Sequence, residues 1–116
     1  MDGNVSAAFH SNLMKDAENE MLNYLSAIDF KDPEHKIISN FSGKDSKDSK
    51  TIFNNLRNQM SNRVRWVESI KCLDYNKENT IIEIGPGKVL SSLIKRISNN
   101  FTVSNINSIN DLDNFL

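Results

Sequence analysis

Cysteine is almost absent: Cys72 stands alone among 116 residues, so no internal disulfide can form. A reducing compartment is the natural setting for such a chain. A lone thiol with no histidine nearby reads as a small core residue rather than a nucleophile. Histidine is nearly as scarce. His10 and His35 lie far apart, with no flanking cysteines and no HExxH spacing, so neither a zinc site nor any other metal is expected. A dominant charge is lacking too. Fourteen basic residues against fifteen acidic ones give a formal charge of −1, which supplies no global field for nucleic acid or an anionic membrane surface. No apolar run approaches the ~20 residues that cross a bilayer. The opening Met1-Asp2-Gly3-Asn4 has neither a basic nor an apolar region of the kind that directs export. Neither nucleic acid nor membrane is therefore expected as a partner.

Glycine occurs only at Gly3, Gly43, Gly85 and Gly87, and no two of these are four apart. A Gly-x-Ser-x-Gly nucleophile elbow is thereby excluded from this sequence. Gly85-Pro86-Gly87-Lys88 also fails two phosphate motifs. A dinucleotide fingerprint needs glycine where Leu90 stands, and a P-loop needs Ser or Thr where Val89 stands. The turn can still present backbone N–H groups to an anion at the start of the next helix, but a tight structural turn is the better reading.

The apolar residues that are present follow clear periods. Leu13, Met14, Ala17, Met21, Leu22 and Leu25 recur at helical spacing behind Ser11, a candidate N-cap. After Asp32-Pro33, the run 36–40 reads as a short strand. Residues 42–50, Ser-Gly-Lys-Asp-Ser-Lys-Asp-Ser-Lys, hold no apolar anchor and read as a solvated loop. A second helix carries Ile52, Phe53, Leu56 and Met60 on one face, and a third carries Val67, Ile70 and Leu73 after Trp66. Thr80-Ile81-Ile82-Glu83-Ile84 is β-branched and bounded by Asn79 and Gly85, as a mostly buried strand would be. Val89, Leu90, Leu93, Ile94 and Ile97 predict a further helix, 101–103 a third strand, and 111–116 a terminal helical turn. Strands alternating with amphipathic helices favour an α/β architecture with short parallel strands. At this length the chain builds one core at most, a single partial domain over 1–116.

Taken alone, His10 is ambiguous, since many histidines beside an apolar residue and a cap only pack. Ser11 is a poor nucleophile for it, because neighbouring side chains diverge where a triad needs convergence in space.

Several stretches read together resolve part of this. Val5-Ser6-Ala7-Ala8-Phe9-His10-Ser11 with Leu13-Met14, then Ile37-Ile38-Ser39-Asn40, Gln59-Met60-Ser61-Asn62-Arg63-Val64-Arg65-Trp66, Glu68-Ser69-Ile70 and Glu83-Ile84-Gly85-Pro86-Gly87-Lys88-Val89-Leu90 follow one another in order. They resemble, across nearly the whole chain, the acyltransferase family that loads malonyl groups from CoA onto acyl carrier protein. The resemblance implies the C-terminal part of that family's large subdomain, and the abrupt start at the His10 motif suggests a fragment. It implies catalysis by a serine that attacks the malonyl thioester, with His10 as general base and then acid. The main-chain carbonyl of Gln59 would orient that histidine, and Phe9 would contact the acyl group. Malonyl-CoA and the phosphopantetheine thiol of acyl carrier protein would be the substrates, in fatty-acid biosynthesis and without a further cofactor. A trans-acting polyketide acyltransferase or a non-catalytic scaffold are the alternatives. The serine, the oxyanion hole and the arginine that grips the malonyl carboxylate would lie upstream, in the part of the domain that becomes the chain's partner. None of Arg57, Arg63, Arg65 or Arg96 matches that arginine. Two residues depart from the family pattern: Ala7 stands for a usual glycine, and Arg63 for a usual proline, a change expected to touch stability rather than chemistry. The compartment implied is the cytoplasm or a plastid-type stroma.

Overall fold

The computed structural model describes residues 9–116; the Val5–Ala8 portion of the histidine motif, with its Ala7 departure, lies outside the described residues. Two compact units emerge, Met1–Ser69 and Ile70–Leu116, the division falling within one helix.

The first unit opens with a 3₁₀ turn, Asn12–Met14, and helix α1, Lys15–Leu25. Ser11 does precede the turn in extended backbone, but its side chain makes no capping bond there, and the α-helix proper starts only at Lys15, three residues after the Asn12 start that a Ser11 cap implies. Leu13 is mostly exposed. The one buried residue of α1 is polar: Glu18 is only 3% exposed. One carboxylate oxygen pairs with Lys15 Nζ at 2.5 Å, and the other accepts the Ser61 backbone N–H at 3.0 Å. Burial alone would raise its pKa, but the hydrogen bonds from Lys15 and Ser61 outweigh burial and hold it below the usual carboxylate range.

The short strand β1 is Ile37–Ile38, shorter than the 36–40 run suggested, and it pairs antiparallel with β2, Asp45–Ser46. The expected solvated loop over 42–50 is corrected here: it contains β2, the cap of the next helix and that helix's first residues. What orders it is polar rather than apolar. Lys36 pairs with Asp45 at 2.7 Å, and the Gly43 N–H donates to the Ser39 carbonyl at 2.8 Å. Gly43 is buried at φ +64°, and a Cβ there would stand 2.7 Å from Glu68 Cβ. Helix α2, Ser49–Gln59, is capped by Asp48, whose carboxylate accepts from Thr51 N at 2.8 Å and Thr51 Oγ1 at 2.6 Å. The Thr51 contacts draw the Asp48 pKa down. Phe30 and Phe53 meet edge to face, centroids 5.5 Å apart. Arg63, at the position where the family pattern has proline, reaches Glu68 at 3.7 Å. It precedes helix α3, Trp66–Tyr75.

The second unit is a β–α–β crossover. Strand β3, Thr80–Ile84, is followed by α4, Val89–Ile97, and by β4, Thr102–Ile106, parallel to β3 with Ile82 opposite Ser104 and Ile84 opposite Ile106. Antiparallel strands can be joined by a two-residue turn, whereas parallel ones need a crossover, and α4 supplies it. The α/β class with parallel strands is thus present, while the β1–β2 pair is antiparallel and local, an addition that the strand–helix alternation did not reveal. Helix α5, Ile109–Phe115, begins two residues before the expected turn because Ser108 accepts the Asp111 N–H at 3.2 Å. Ile70 and Ile94 are the buried apolar residues among those described. Along β3, Ile81 and Glu83 point to the covered face while Ile82 and Ile84 stay on the open one, Ile84 at 80% exposure.

Candidate functional site

The last carbonyls of a helix lack intrahelical partners, and at the end of α2 one residue meets two of them. His10 donates its backbone N–H to the Met60 carbonyl at 2.8 Å, and its ring Nδ1 lies 3.0 Å from the Gln59 carbonyl. A carbonyl only accepts, so Nδ1 carries the proton and Nε2 is left as the acceptor. Holding both contacts requires φ +63° at His10, the left-handed region that a side chain with a Cβ rarely occupies.

The structure therefore brings together two of the residues singled out from the sequence, His10 and Gln59, across 49 positions. Phe9, the third, is about half exposed and lines a pocket of about 330 Å³ with His10, Met21, Leu25, Leu56 and Met60. Arg57 and Glu18 also border it. Glu18 is the residue that sequence reasoning missed. By accepting the Ser61 N–H it ties α1, which follows His10, to the segment directly after Gln59 and Met60. No periodicity marks such a residue, because a glutamate on an amphipathic helix reads as solvated. The contribution of the Met60 carbonyl was equally invisible, since a main-chain atom leaves no mark on residue type.

The remaining candidates have partners of their own or lie on the surface. Cys72 lies half-buried on α3, its Sγ 3.7 Å from Asn76 Nδ2. His35 is exposed in the stretch before β1. Among the described residues, no group of three His, Cys, Asp or Glu side chains gathers as a metal site would require, and no helix is long and apolar enough to cross a membrane.

The Gly85-Pro86-Gly87 turn resolves differently. The N-terminus of α4 already holds an anion of its own, because the Glu83 carboxylate accepts the N–H groups of Leu90 at 3.2 Å and Ser91 at 2.8 Å together with the Ser91 hydroxyl. The Ser91 hydroxyl bond is the chief reason its pKa is lowered, and the backbone bonds add to it. Gly85 at φ +135° and Gly87 at φ +84° let the chain double back, and Asn105 fastens the Gly87 carbonyl at 2.8 Å.

No protein-family model matches the chain. Individual proteins do. It is 32% identical over 108 residues to a malonyl CoA-acyl carrier protein transacylase of Staphylococcus aureus, covering 93% of this chain and 35% of that protein. To the Bacillus subtilis protein of the same name it is 43% identical over 94 residues, covering 81% of this chain and 30% of that one. Among solved structures, the malonyl-CoA:ACP transacylase of Synechocystis sp. PCC 6803 superposes with a TM-score of 0.92 at 31% identity, over 97% of this chain and 38% of that one. A malonyl-transacylase solved in complex with a type II PKS acyl-carrier protein gives 0.88 at 32% identity, over 96% and 36%. The chain thus spans about a third of the length of the relatives it matches.

Proposed function

We propose that this chain, a member of the malonyl-CoA:acyl-carrier-protein transacylase family over nearly its whole length, supplies the general base of malonyl transfer from CoA to the phosphopantetheine thiol of acyl carrier protein. The observation that carries the reading is the bond from His10 Nδ1 to the Gln59 carbonyl. It fixes the tautomer in which Nε2 can take a proton from a serine hydroxyl as that oxygen attacks the malonyl thioester. The protonated ring then gives its proton to the departing CoA thiolate. In the second half-reaction Nε2 takes the proton of the carrier thiol, whose sulfur attacks the acyl-serine, and returns it to the serine oxygen. A carbonyl at the end of α2 faces the imidazolium formed in each half and has no proton of its own to exchange, so the ring shuttles one proton without losing its orientation.

This sequence has no Gly-x-Ser-x-Gly nucleophile elbow to supply the serine, and the family resemblance implies that the oxyanion hole lies with it. The reading therefore requires the serine to come from outside these 116 residues, and these residues by themselves are expected to transfer nothing. The partner, the acyl-carrier thiol and the fatty-acid pathway all rest on the family resemblance, as does a cytoplasmic or plastid-type setting.

The experiment is a radiolabelled malonyl-CoA assay with holo acyl carrier protein, run with the chain alone and with a polypeptide comprising the part of the B. subtilis relative that this chain does not cover. Transfer is expected only in the combination. His10→Ala should lower it by about 10²–10⁴-fold, the usual worth of a positioned base. Gln59→Ala should cost less, since the main-chain carbonyl survives truncation of the side chain. Stable labelling of the chain alone on any serine, Ser11 included, would refute the proposal.

A further inference from the structure

Three bonds join the segment around His10 to the end of α2, and only two of them involve His10 itself. Its backbone N–H meets the Met60 carbonyl at 2.8 Å, and its ring Nδ1 meets the Gln59 carbonyl at 3.0 Å. The third runs from the Ser61 N–H to the Glu18 carboxylate at 3.0 Å. A helix continued past Gln59 would turn the Ser61 N–H toward the carbonyl four residues back, that of Arg57. Here α2 stops at Gln59, and the N–H goes to a side chain of α1 instead. The stop leaves the Gln59 and Met60 carbonyls without intrahelical partners, so both can face His10.

The depth of the third bond makes it hard to replace. Glu18 is 3% exposed and Ser61 4%, so an N–H that lost this acceptor would have no ready water, and the chain would shift to satisfy it. A carboxylate at such depth is costly unless paired. Lys15, itself exposed, supplies the opposite charge at 2.5 Å. Met21 and Leu25 of the same helix line the same pocket as Glu18 and His10, and an apolar residue at position 18 would suit that wall at less cost. What no apolar residue supplies is an acceptor for Ser61. The far side of the turn is tied as well, since Asn62 Nδ2 donates to the Asn58 carbonyl at 2.8 Å.

We propose that Glu18 is a positioning residue for the His10 base: its hold on the Ser61 N–H fixes where α2 ends, and so keeps the Gln59 carbonyl on Nδ1 and Nε2 in the acceptor state. Glu18 touches no reacting atom. The inference rests on the acyl-transfer reading for the use of the ring, while the hold on the ring belongs to this chain alone.

The test uses the full chain with ¹⁵N-labelled histidines, at a pH where the rings are neutral. The two ring nitrogens report the tautomer directly, and exposed His35 provides the pattern of a histidine in solvent. In the parent, His10 should show a protonated Nδ1 and a bare Nε2, unlike His35. Glu18→Ala should move the His10 signals toward those of His35. Glu18→Gln loses the charge but keeps an oxygen that can accept the Ser61 N–H, so it should retain the parent's tautomer. That contrast separates positioning from stability, because a merely stabilising carboxylate would leave the two variants alike in the spectrum. Glu18→Asp, one methylene short of Ser61, should behave as Glu18→Ala and takes its place should Glu18→Ala fail to fold. In the two-part assay Glu18→Ala should lower turnover by about 10–100-fold with KM for malonyl-CoA little changed, the scale of a slightly misplaced base, and Glu18→Gln should stay near the parent. A parent-like His10 spectrum in folded Glu18→Ala or Glu18→Asp, or an equal shift in Glu18→Gln, overturns the proposal. The two ideas fail separately. Malonyl transfer with a tautomer indifferent to Glu18 removes the positioning role alone, whereas absence of transfer removes the acyl-transfer reading whatever the spectrum shows.

Discussion

At the scale of single residues, the two neighbours of the His10 site make different contributions. Phe9 presents a half-exposed ring to the pocket that His10 borders, and in a completed enzyme that ring would crowd a branched α-carbon. Competition between malonyl-CoA and methylmalonyl-CoA in the two-part assay should therefore show Phe9→Ser relaxing the malonyl preference by about 1–3 kcal/mol, the scale of one methyl in a pocket. An unchanged ratio removes Phe9 from the selectivity. Glu18 acts on stability as well. Its folded pKa lies below its ordinary value, so the unfolded chain takes up its proton first as pH falls. Its contribution is present above the ordinary carboxylate range and is lost as pH drops through the folded pKa. Urea midpoints measured from pH 7 down to pH 3 should fall more steeply for the parent than for Glu18→Gln, with Glu18→Gln the less stable at pH 7. Parallel curves would mean that Lys15 and Ser61 do not hold the charge in solution.

At the scale of elements, most of what is regular was legible and most of what is local was not. Helices α2, α3 and α4 and strand β3 stand where the apolar period placed them, but β3, expected to be mostly buried, has no buried residue over Thr80–Ile84, because only one of its faces is partly covered. The 42–50 stretch escaped for the opposite reason: it is ordered by capping and turn bonds from Asp48, Ser39 and Lys36, which have no period. The start of α1 was misplaced because Ser11 looks like a cap in sequence but makes no capping bond. At the site, the family pattern pointed to His10 and Gln59, and physics alone did not, since the bond between them runs to a main-chain atom. The β1–β2 connection provides a direct test. Gly43 sits at φ +64° with Glu68 Cβ directly beyond it, so Gly43→Ala combines a left-handed penalty of about 1–2 kcal/mol with a steric clash. Thermal melts should show a loss of at least that size, and a loss below about 0.5 kcal/mol would mean that the turn re-forms in another conformation.

At the scale of the whole molecule, the notable quantity is how little apolar surface is put away. Ile82 and Ile84 share the open face of a two-stranded parallel sheet, and Val89, Ile109 and Leu116 are also mostly or partly bare. Parallel strands are ordinarily covered on both faces, and a two-stranded sheet has little independent stability. Such a surface is what a completing polypeptide would cover. Ile84→Lys should then leave the melting temperature of the chain nearly unchanged and abolish malonyl transfer in the two-part assay. Undiminished transfer would place the completing part elsewhere. Hydrogen exchange offers a second check, with weak protection over 81–84 in the chain alone and strong protection in the combination.

The left-handed backbone at His10 sets stability and chemistry against each other. Glycine accepts φ +63° at no steric cost, so His10→Gly would release a strain of about 1–2 kcal/mol and still leave a backbone N–H to meet the Met60 carbonyl. The substitution that best relaxes this position is therefore one that discards the proposed base. What opposes that relaxation is the 3.0 Å bond from the ring to the Gln59 carbonyl, which glycine would forfeit, so the strain at this angle and the hold on the ring come together in one residue.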